Sequence, residues 1–143
     1  MSISADNLLL VQLTDWINEN AQEIGLPAEL EIDQGDAHGE ALWLQPLAGT
    51  VKAVTYTDGG YVGELPFAIY YQLPKRDSDS LGAAALASPL WKIANFFEGN
   101  SLSAKVTGAQ RALMTSSPSA FLRTDSVSCY QAVYKLVYGK GIG

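Results

Sequence analysis

The sequence predicts an α+β fold in which a mainly antiparallel sheet of about four to five strands carries two helices packed on one face. The chain has 143 residues, which is the size of one domain, so we expect a single domain over residues 1–143. Apolar periodicity follows the order helix, strands, helix, strands. The segments between predicted strands do not provide the repeated long crossovers that a parallel sheet needs. An antiparallel sheet covered by helices satisfies all three observations.

The first element is an amphipathic helix that begins at a cap residue, Ser4 or Asp6, and runs through about Ile24. Gly25 ends this helix, and Pro27 follows closely. At about 100° per residue, its large apolar side chains fall within an arc of about 140°. The arc comprises Leu9, Leu10, Leu13, Trp16, Ile17, Ala21 and Ile24, with Asp15, Glu19 and Glu23 on the opposite side.

Four strands are expected between the two helices, over 29–33, 41–45, 50–57 and 61–73. Pro46 ends the second strand, and residues 58–60 (Asp-Gly-Gly) are a hairpin-turn signal between the last two. Gly63 and Pro66 indicate a bulge or an irregular start to the fourth strand. Alternation in that strand places Phe67, Ile69, Tyr71 and Leu73 on one face, and Ala68, Tyr70 and Gln72 on the other.

The second helix is expected over about 81–98, closed by Gly99 and interrupted at Pro89, with Ser88 as the cap of a second piece. Trp91 and Phe96 lie on its flanks, where they indicate either a wide apolar face or a partner surface. Its buried face comprises Leu86, Leu90, Ile93, Ala94 and Phe97.

The last third of the chain returns to strands. A strand over 104–115, with Gly108 inside it, is expected to end in a Ser/Pro loop at 116–119. A long connection then leads to a final strand over 127–138 and a flexible, glycine-rich tail over 139–143. The final strand places Tyr130, Ala132, Tyr134, Leu136 and Tyr138 on one face, and Cys129, Gln131, Val133, Lys135 and Val137 on its half-polar face.

The net charge of −6 is divided unevenly along the chain. Residues 1–51 contain nine acids and no Lys or Arg, whereas residues 52–143 contain nine bases and six acids. The split suits self-association in which the acidic side of one copy meets the basic side of another, and two solvated faces without a partner explain it equally well. Because the acidic segment repels phosphate, we expect no stable DNA binding.

No residue pattern points to catalysis, so we expect a protein that is not an enzyme and has no cofactor. Asp33, Asp36, His38 and Glu40 lie close together, but their spacing matches no calcium loop, which favours a solvated acidic loop over a metal site. A serine hydrolase would need a G-x-S-x-G motif, which the chain lacks. The single cysteine, Cys129, excludes an intramolecular disulfide. No apolar run approaches the roughly 18 residues of a membrane span, so we expect a soluble protein without membrane association.

One stretch of the chain, residues 63–99, reads GELPFAIYYQLPKRDSDSLGAAALASPLWKIANFFEG. Its LPF-led strand, short charged connection and helix ending in IxxFFEG resemble the minor capsid or tail terminator proteins of long-tailed, siphovirus-like bacteriophages and prophages. The rest of the chain is similar to that family in plan. The similar features are the Trp16-Ile17 pair in the first helix, the segment 46–49 after a strand, and the tyrosines of the closing strand.

The resemblance implies an α/β sandwich-like subunit that forms a ring, by expectation a hexamer. Such a ring caps the tail tube, stops its polymerisation and joins it to the head-completion proteins. The implied partners are further copies of the chain, the tail tube protein, and a head-completion or connector protein. The implied location is the head-proximal end of the tail in the virion, and the host cytoplasm during assembly. No catalytic residues are known for this role.

Two sets of candidate surface residues accompany this interpretation. The candidate subunit interface comprises Trp91, Phe96, Gln131, Val133 and Lys135, which lie outside the best core stripes. The candidate acidic lumen or partner surface comprises Glu29, Glu31, Asp33, Asp36 and Glu40. The alternative hypothesis is a small-ligand or peptide-binding α+β module without catalysis, in which Trp43, Tyr70 and Trp91 line a pocket.

Overall fold

The computed structural model describes residues 5–32, 40–47, 51–55, 61–74, 88–99, 109–123 and 127–140. Helical apolar spacing produces α1 (Ala5–Glu19), α2 (Ala21–Ile24) and α3 (Ser88–Gly99). The strands are β1 (Leu30–Ile32), β2 (Ala41–Pro46), β3 (Val51–Thr55), β4 (Tyr61–Pro74), β5 (Ala109–Arg123) and β6 (Val127–Lys140). The predicted hairpin turn at 58–60, the first part of the second helix (81–87, including Leu86) and residues 104–108 lie outside the described residues.

Six described strands form one sheet, in which five follow the order β1-β2-β4-β6-β5 and β3 pairs with β4 outside this order. One side of β4 pairs with β6 over its whole length, so β2 and β3 share the other side. Every pair is antiparallel except β1 with β2, which is parallel. The predicted α+β class with a mainly antiparallel sheet is therefore confirmed.

The centre of the sheet is the pair formed by β4 and β6. These strands pair residue by residue from Tyr61 with Lys140 to Pro74 with Val127, without a register shift. Because opposed residues in paired strands share a face, Phe67 and Tyr134 stand side by side and their rings stack 5.5 Å apart. Phe97 of α3 meets both rings edge-on.

Helices α1 and α3 cover the same face of this sheet, as predicted. Their apolar stripes and the alternate residues of the strands merge into one buried cluster, which we call the main core. The predicted faces of β4 and β6 both lie in it. Its fully buried large side chains are Leu10, Leu13, Ile17, Leu30, Leu42, Leu44, Phe67, Ile69, Leu90, Ile93 and Tyr134.

The first helix is broken at Asn20, which differs from the single helix predicted. Asn20 takes φ −109° and ψ 12°, and its side-chain amide donates a hydrogen bond to the Trp16 carbonyl at 2.9 Å. Its backbone N–H donates to Ile17, so the last turn of α1 tightens. Gly25 then ends α2 in the left-handed conformation with φ 85°, as predicted for a glycine cap.

The predicted Ser/Pro loop and the long connection after it are wrong. Residues 116–119 lie within β5, which continues to Arg123. Pro118 is tolerated because β5 pairs only with β6 among the described strands, so one of its sides is an edge. The register with β6 shifts at several places, including between Ser116 and Ser119, and these bulges absorb the irregular sequence.

Two smaller predictions also need correction. The irregularity expected in β4 at Gly63 and Pro66 lies instead in its partner β3, where the register shifts between Lys52 and Val54. The predicted tail begins too early, because β6 continues through Gly139 and Lys140, which pair with β4. Residues 141–143 lie outside the described part of the chain.

Two buried tyrosines on β6 differ in how their hydroxyls are satisfied. The Tyr134 hydroxyl donates a 2.7 Å hydrogen bond to the Leu90 carbonyl and so fixes α3 to the sheet. Burial raises the pKa of Tyr134 far above its usual range. Its neutral form therefore contributes stability below about pH 10 that is lost as the pH rises above that value. The Tyr130 hydroxyl is buried with no hydrogen-bond partner among the described residues.

We predict that Tyr134→Phe lowers the free energy of unfolding by about 1 kcal/mol, because the hydrogen bond from the hydroxyl to the Leu90 carbonyl is lost. Tyr130→Phe is the matched control, since it removes a buried hydroxyl that makes no such bond. It should leave the stability unchanged or raise it. Urea unfolding followed by circular dichroism measures both, and equal losses in the two variants would contradict this assignment.

The ring of Tyr138, on the opposite strand, leaves no room for a side chain at Gly63. It pairs directly with Tyr138, and a Cβ at Gly63 would lie 2.7 Å from Cζ of that ring. Tyr138 is only 7% exposed and so has little room to move.

We predict that Gly63→Ala costs about 1–3 kcal/mol of folding stability through this steric overlap. Gly99→Ala is the control, because a Cβ there meets nothing within 4 Å. Thermal melts should show a clear loss for the first variant and none for the second. Similar melting temperatures for both variants would mean that the Tyr138 ring moves aside without a loss of folding stability.

Candidate interaction surfaces

Trp91 is the exposed aromatic side chain of α3. Its neighbour Leu90 and the next inward residue, Ile93, are fully buried, whereas Trp91 is 43% exposed. Such a large apolar side chain in contact with solvent is the kind of residue that anchors a protein interface. Its place on the helix surface agrees with its position on a flank of the helical pattern.

Phe96, the second flank residue, is half-buried inside the helix layer. Its ring lies 4.6 Å from the ring of Trp16 on α1. This contact joins α3 to α1 and explains why an aromatic residue occupies this flank. The structure therefore separates the two candidates, because Phe96 packs within the subunit and Trp91 faces outward.

The flank that carries Trp91 points away from α1. Trp91 and Phe96 are five positions apart in the sequence, which places them about 140° apart around α3. Since Phe96 contacts α1, Trp91 lies on the other side of the helix. Helix α1 packs over β1 and β2, and α3 packs over β5 and β4, so Trp91 lies toward the β5 side of the subunit.

The other three interface candidates lie on the opposite face of the sheet, which we call the open face because no described helix covers it. Gln131, Val133 and Lys135 are each half-buried there. Gln131 Nε2 donates a 3.0 Å hydrogen bond to the Tyr70 hydroxyl, and Lys135 forms a salt bridge with Glu64. These contacts hold the polar side chains in place as a preformed surface.

An aromatic cluster adjoins these residues on the open face, and the sequence analysis identified only two of its three rings, Trp43 and Tyr70. The rings of Trp43 and Tyr70 stack 5.2 Å apart, and Phe121 meets Tyr70 edge-on at 4.9 Å. Ala68 and Cys129 lie buried in the same cluster. Phe121 is 54% exposed, whereas Trp43 is half-buried and Tyr70 is buried, so Phe121 is the accessible ring of the cluster. Phe121 was missed because residue 121 was assigned to a loop rather than to β5.

The pocket expected from Trp43, Tyr70 and Trp91 does not form as predicted. Trp43 and Tyr70 do meet, but on the open face. Trp91 belongs to α3, which packs on the main core at the other face. The thickness of the sheet separates Trp91 from the other two, so the three side chains do not line one cavity.

The acidic candidates that the structure describes lie at the start of the sheet. Glu29, Glu31 and Glu40 are exposed around β1 and β2. The Glu40 carboxylate accepts a hydrogen bond from the Tyr71 hydroxyl, which orients it. Asp33 and Asp36 lie outside the described residues.

The described residues contain no group of three or more side chains suited to hold a metal ion. Residues 33–39, which include Asp33, Asp36 and His38 of the predicted acidic loop, lie outside the described residues. Cys129 is buried, and burial raises the pKa of its thiol to about 11. The thiol is therefore protonated at neutral pH, as expected for a packing residue. No helix within the described ranges is long and apolar enough to span a bilayer.

Comparison with known proteins does not identify a function for these surfaces. Searches against family models and against curated proteins found no match. A solved structure whose name describes no function aligns with a TM-score of 0.45 and 13% sequence identity, over 94% of this chain and 96% of that chain. Similarity at this level carries no argument about fold or activity.

Proposed function

We propose that the chain is a structural bacteriophage tail protein that forms a ring at the head-proximal end of the tail tube. The ring caps the tube, ends its polymerisation and joins it to the head-completion proteins, without catalysing a reaction. Its partners are other copies of the chain, the tail tube protein and a head-completion or connector protein. The proposal begins from the family resemblance of residues 63–99 and gains support from the arrangement of the surfaces.

The observation that carries the proposal is that the candidate contacts lie on two different sides of the subunit. Trp91 is exposed on the helix layer, and Gln131, Val133 and Lys135 lie on the open face. A closed ring is built from heterologous contacts, in which one surface of a subunit meets a different surface of the next. A subunit with two unlike contact surfaces suits this symmetry better than a two-fold dimer.

The acidic residues support a second part of the proposal. Glu29, Glu31 and Glu40 are exposed carboxylates, and no Lys or Arg occurs in residues 1–51. Carboxylates repel the phosphates of a DNA duplex. Around a lumen they would let DNA pass without binding, as a tail that conducts a genome requires.

One observation favours a second candidate function, a small-ligand or peptide-binding module without catalysis. The cluster of Trp43, Tyr70 and Phe121 on the open face offers stacked rings beside the amide of Gln131. Phe121 is the exposed ring of this cluster, and an exposed aromatic ring with a nearby polar group is common in recognition sites. In this case the chain would act as one or two copies.

Native mass spectrometry with negative-stain imaging distinguishes the two functions. A ring should give a mass several times the 15.3 kDa of one chain and circular particles with a central hole. Addition of the tail tube protein should extend this test, because some ring subunits assemble only on the tube. A mass of one or two copies both alone and with tubes, together with unchanged tube length, would contradict the ring.

We predict that Trp91→Ala weakens assembly while leaving the fold intact. An exposed side chain should change the free energy of unfolding by no more than about 0.5 kcal/mol, whereas an interface anchor costs about 2 kcal/mol or more per contact. Sedimentation and circular dichroism melting measure the two effects separately. Val11→Ala is the matched control, because Val11 is an exposed apolar residue of α1 outside the candidate interface.

Unchanged sedimentation of the Trp91→Ala protein would remove Trp91 from the interface. A folding loss of about 3–5 kcal/mol, as expected for a core aromatic such as Phe97, would instead mean that Trp91 supports the fold.

A further inference from the structure

The strand order places the acidic and basic parts of the chain at opposite ends of the subunit. Residues 5–32 and 40–47, which form α1, α2, β1 and β2, contain seven acids and no Lys or Arg. Residues 109–123 and 127–140, which form β5 and β6, contain four bases and no acids. Because β1 and β5 are the ends of the order β1-β2-β4-β6-β5, we call these the acidic end and the basic end.

A groove at the acidic end lies where α1 and α2 meet the segment that leads into β1. It has a volume of about 350 Å³. Sites that hold a small molecule have volumes of about 300–1,000 Å³, so this groove has room for one large side chain and not for an extended ligand. Its lining is mainly apolar and comprises Asn18, Ala21, Leu26, Pro27, Ala28 and Glu29.

Hydrogen bonds and core packing fix the walls of the groove. The Asn18 side chain accepts a bond from the Leu30 N–H at 2.8 Å and donates one to the Leu30 carbonyl at 2.9 Å. On the other side of the groove, Leu26 and Ala28 pack against the main core. A surface whose walls are fixed before binding loses little conformational freedom when a partner binds.

Trp91 is the exposed aromatic side chain that lies toward the basic end. It is 43% exposed on the flank of α3 that points away from α1. Trp91 and the groove both belong to the helix layer, so two copies placed side by side bring them to the same level. The exposed Phe121 lies on the open face instead, on the other side of the sheet from the groove.

An indole ring suits the groove in polarity as well as in size. The body of the ring is apolar, and its N–H needs an acceptor when it is buried. The exposed carboxylate of Glu29 provides one at the groove. Glu98 is an acid on the same helix as Trp91, but it lies seven residues away, or about 10 Å along the helix axis. That distance exceeds the Debye length of about 8 Å in physiological salt.

We propose that Trp91 of one copy inserts into the groove at the acidic end of the next copy, with its indole N–H bonded to the Glu29 carboxylate. This inference rests on the proposed ring function and names the contact that builds the ring. The occupant is a second copy of this chain because its basic end complements the acidic end in charge. The contact joins unlike surfaces, so it repeats from copy to copy until the ring closes.

Photo-crosslinking tests this contact directly. Trp91→p-benzoylphenylalanine keeps an aromatic side chain, and on irradiation it should link to the peptide covering residues 18–29 of another copy. The chain is irradiated alone and with the tail tube protein, and a mixture of isotope-labelled and unlabelled copies shows that the link joins two copies. The same substitution at the exposed Phe121 is the matched control, and it should not link to residues 18–29.

The crosslinks separate the contact from the ring function. Links from position 91 to other segments, or no link in assembled rings, would overturn the contact and leave the ring function standing. Links to residues 18–29 in a chain that never forms rings, alone or on tubes, would support the contact and refute the ring.

Removal of the acceptor provides a second, equilibrium test. Glu29→Ala should weaken self-association by about tenfold or more, because a hydrogen bond to a charged acceptor is lost. Glu31→Ala is the matched control, since it removes an exposed acid of β1 that does not line the groove, and its effect should be smaller. Trp91→Phe keeps a ring but lacks the N–H donor, so it should add little to the loss in the Glu29→Ala background.

Sedimentation at several protein concentrations measures these four variants, and circular dichroism melting checks that each one folds. Equal losses in Glu29→Ala and Glu31→Ala would overturn the contact, because only the overall charge would then matter. Fully additive losses from Glu29→Ala and Trp91→Phe would also overturn it, since the two side chains would then act independently.

Discussion

The uninterrupted pairing of β4 with β6 is the constraint on which the rest of this structure depends. It fixes the register of the sheet centre from Tyr61 to Pro74, and so decides which side chains enter the main core. The stacked rings of Phe67 and Tyr134 then form the part of the sheet against which α3 packs through Phe97. The hydrogen bond from Tyr134 to Leu90 sets the position of that helix. This position of α3 also determines the exposure of Trp91. Because Leu90 faces the main core, the next residue, Trp91, lies on the outer side of the helix.

Much of this core could be predicted from the sequence, because apolar residues on the buried face of a strand or helix recur at the regular spacing of that element. Alternation in β4 and β6 and helical spacing in α3 identified the correct faces. The errors arose where tertiary context overrides local preference. Residues 116–119 read as a loop, yet an edge strand with bulges accommodates Pro118. The break at Asn20 depends on a side-chain bond to the Trp16 carbonyl, and the parallel alignment of β1 with β2 has no signal in either segment.

The surfaces were less predictable than the core, since exposure on a flank depends on what packs beside it. Trp91 and Phe96 look equivalent by helical spacing, but only Phe96 meets an aromatic residue of α1. The aromatic cluster on the open face needed three strands to be placed in order before Trp43, Tyr70 and Phe121 could be seen together. The uneven charge was evident from the sequence alone. Only the strand order shows that the acidic β1 and β2 lie at the opposite end of the sheet from the basic β5.

The subunit is a rigid sheet with unlike candidate contact surfaces, Trp91 on the helix layer and Gln131, Val133 and Lys135 on the open face. Deuterium exchange of the intact chain at low and high protein concentration tests their role in assembly most directly. We expect the α3 peptide that contains Trp91 to exchange more slowly as the particle mass increases, while the centres of β4 and β6 stay protected throughout. An α3 peptide that exchanges equally fast at both concentrations, with or without an increase in particle mass, would contradict it.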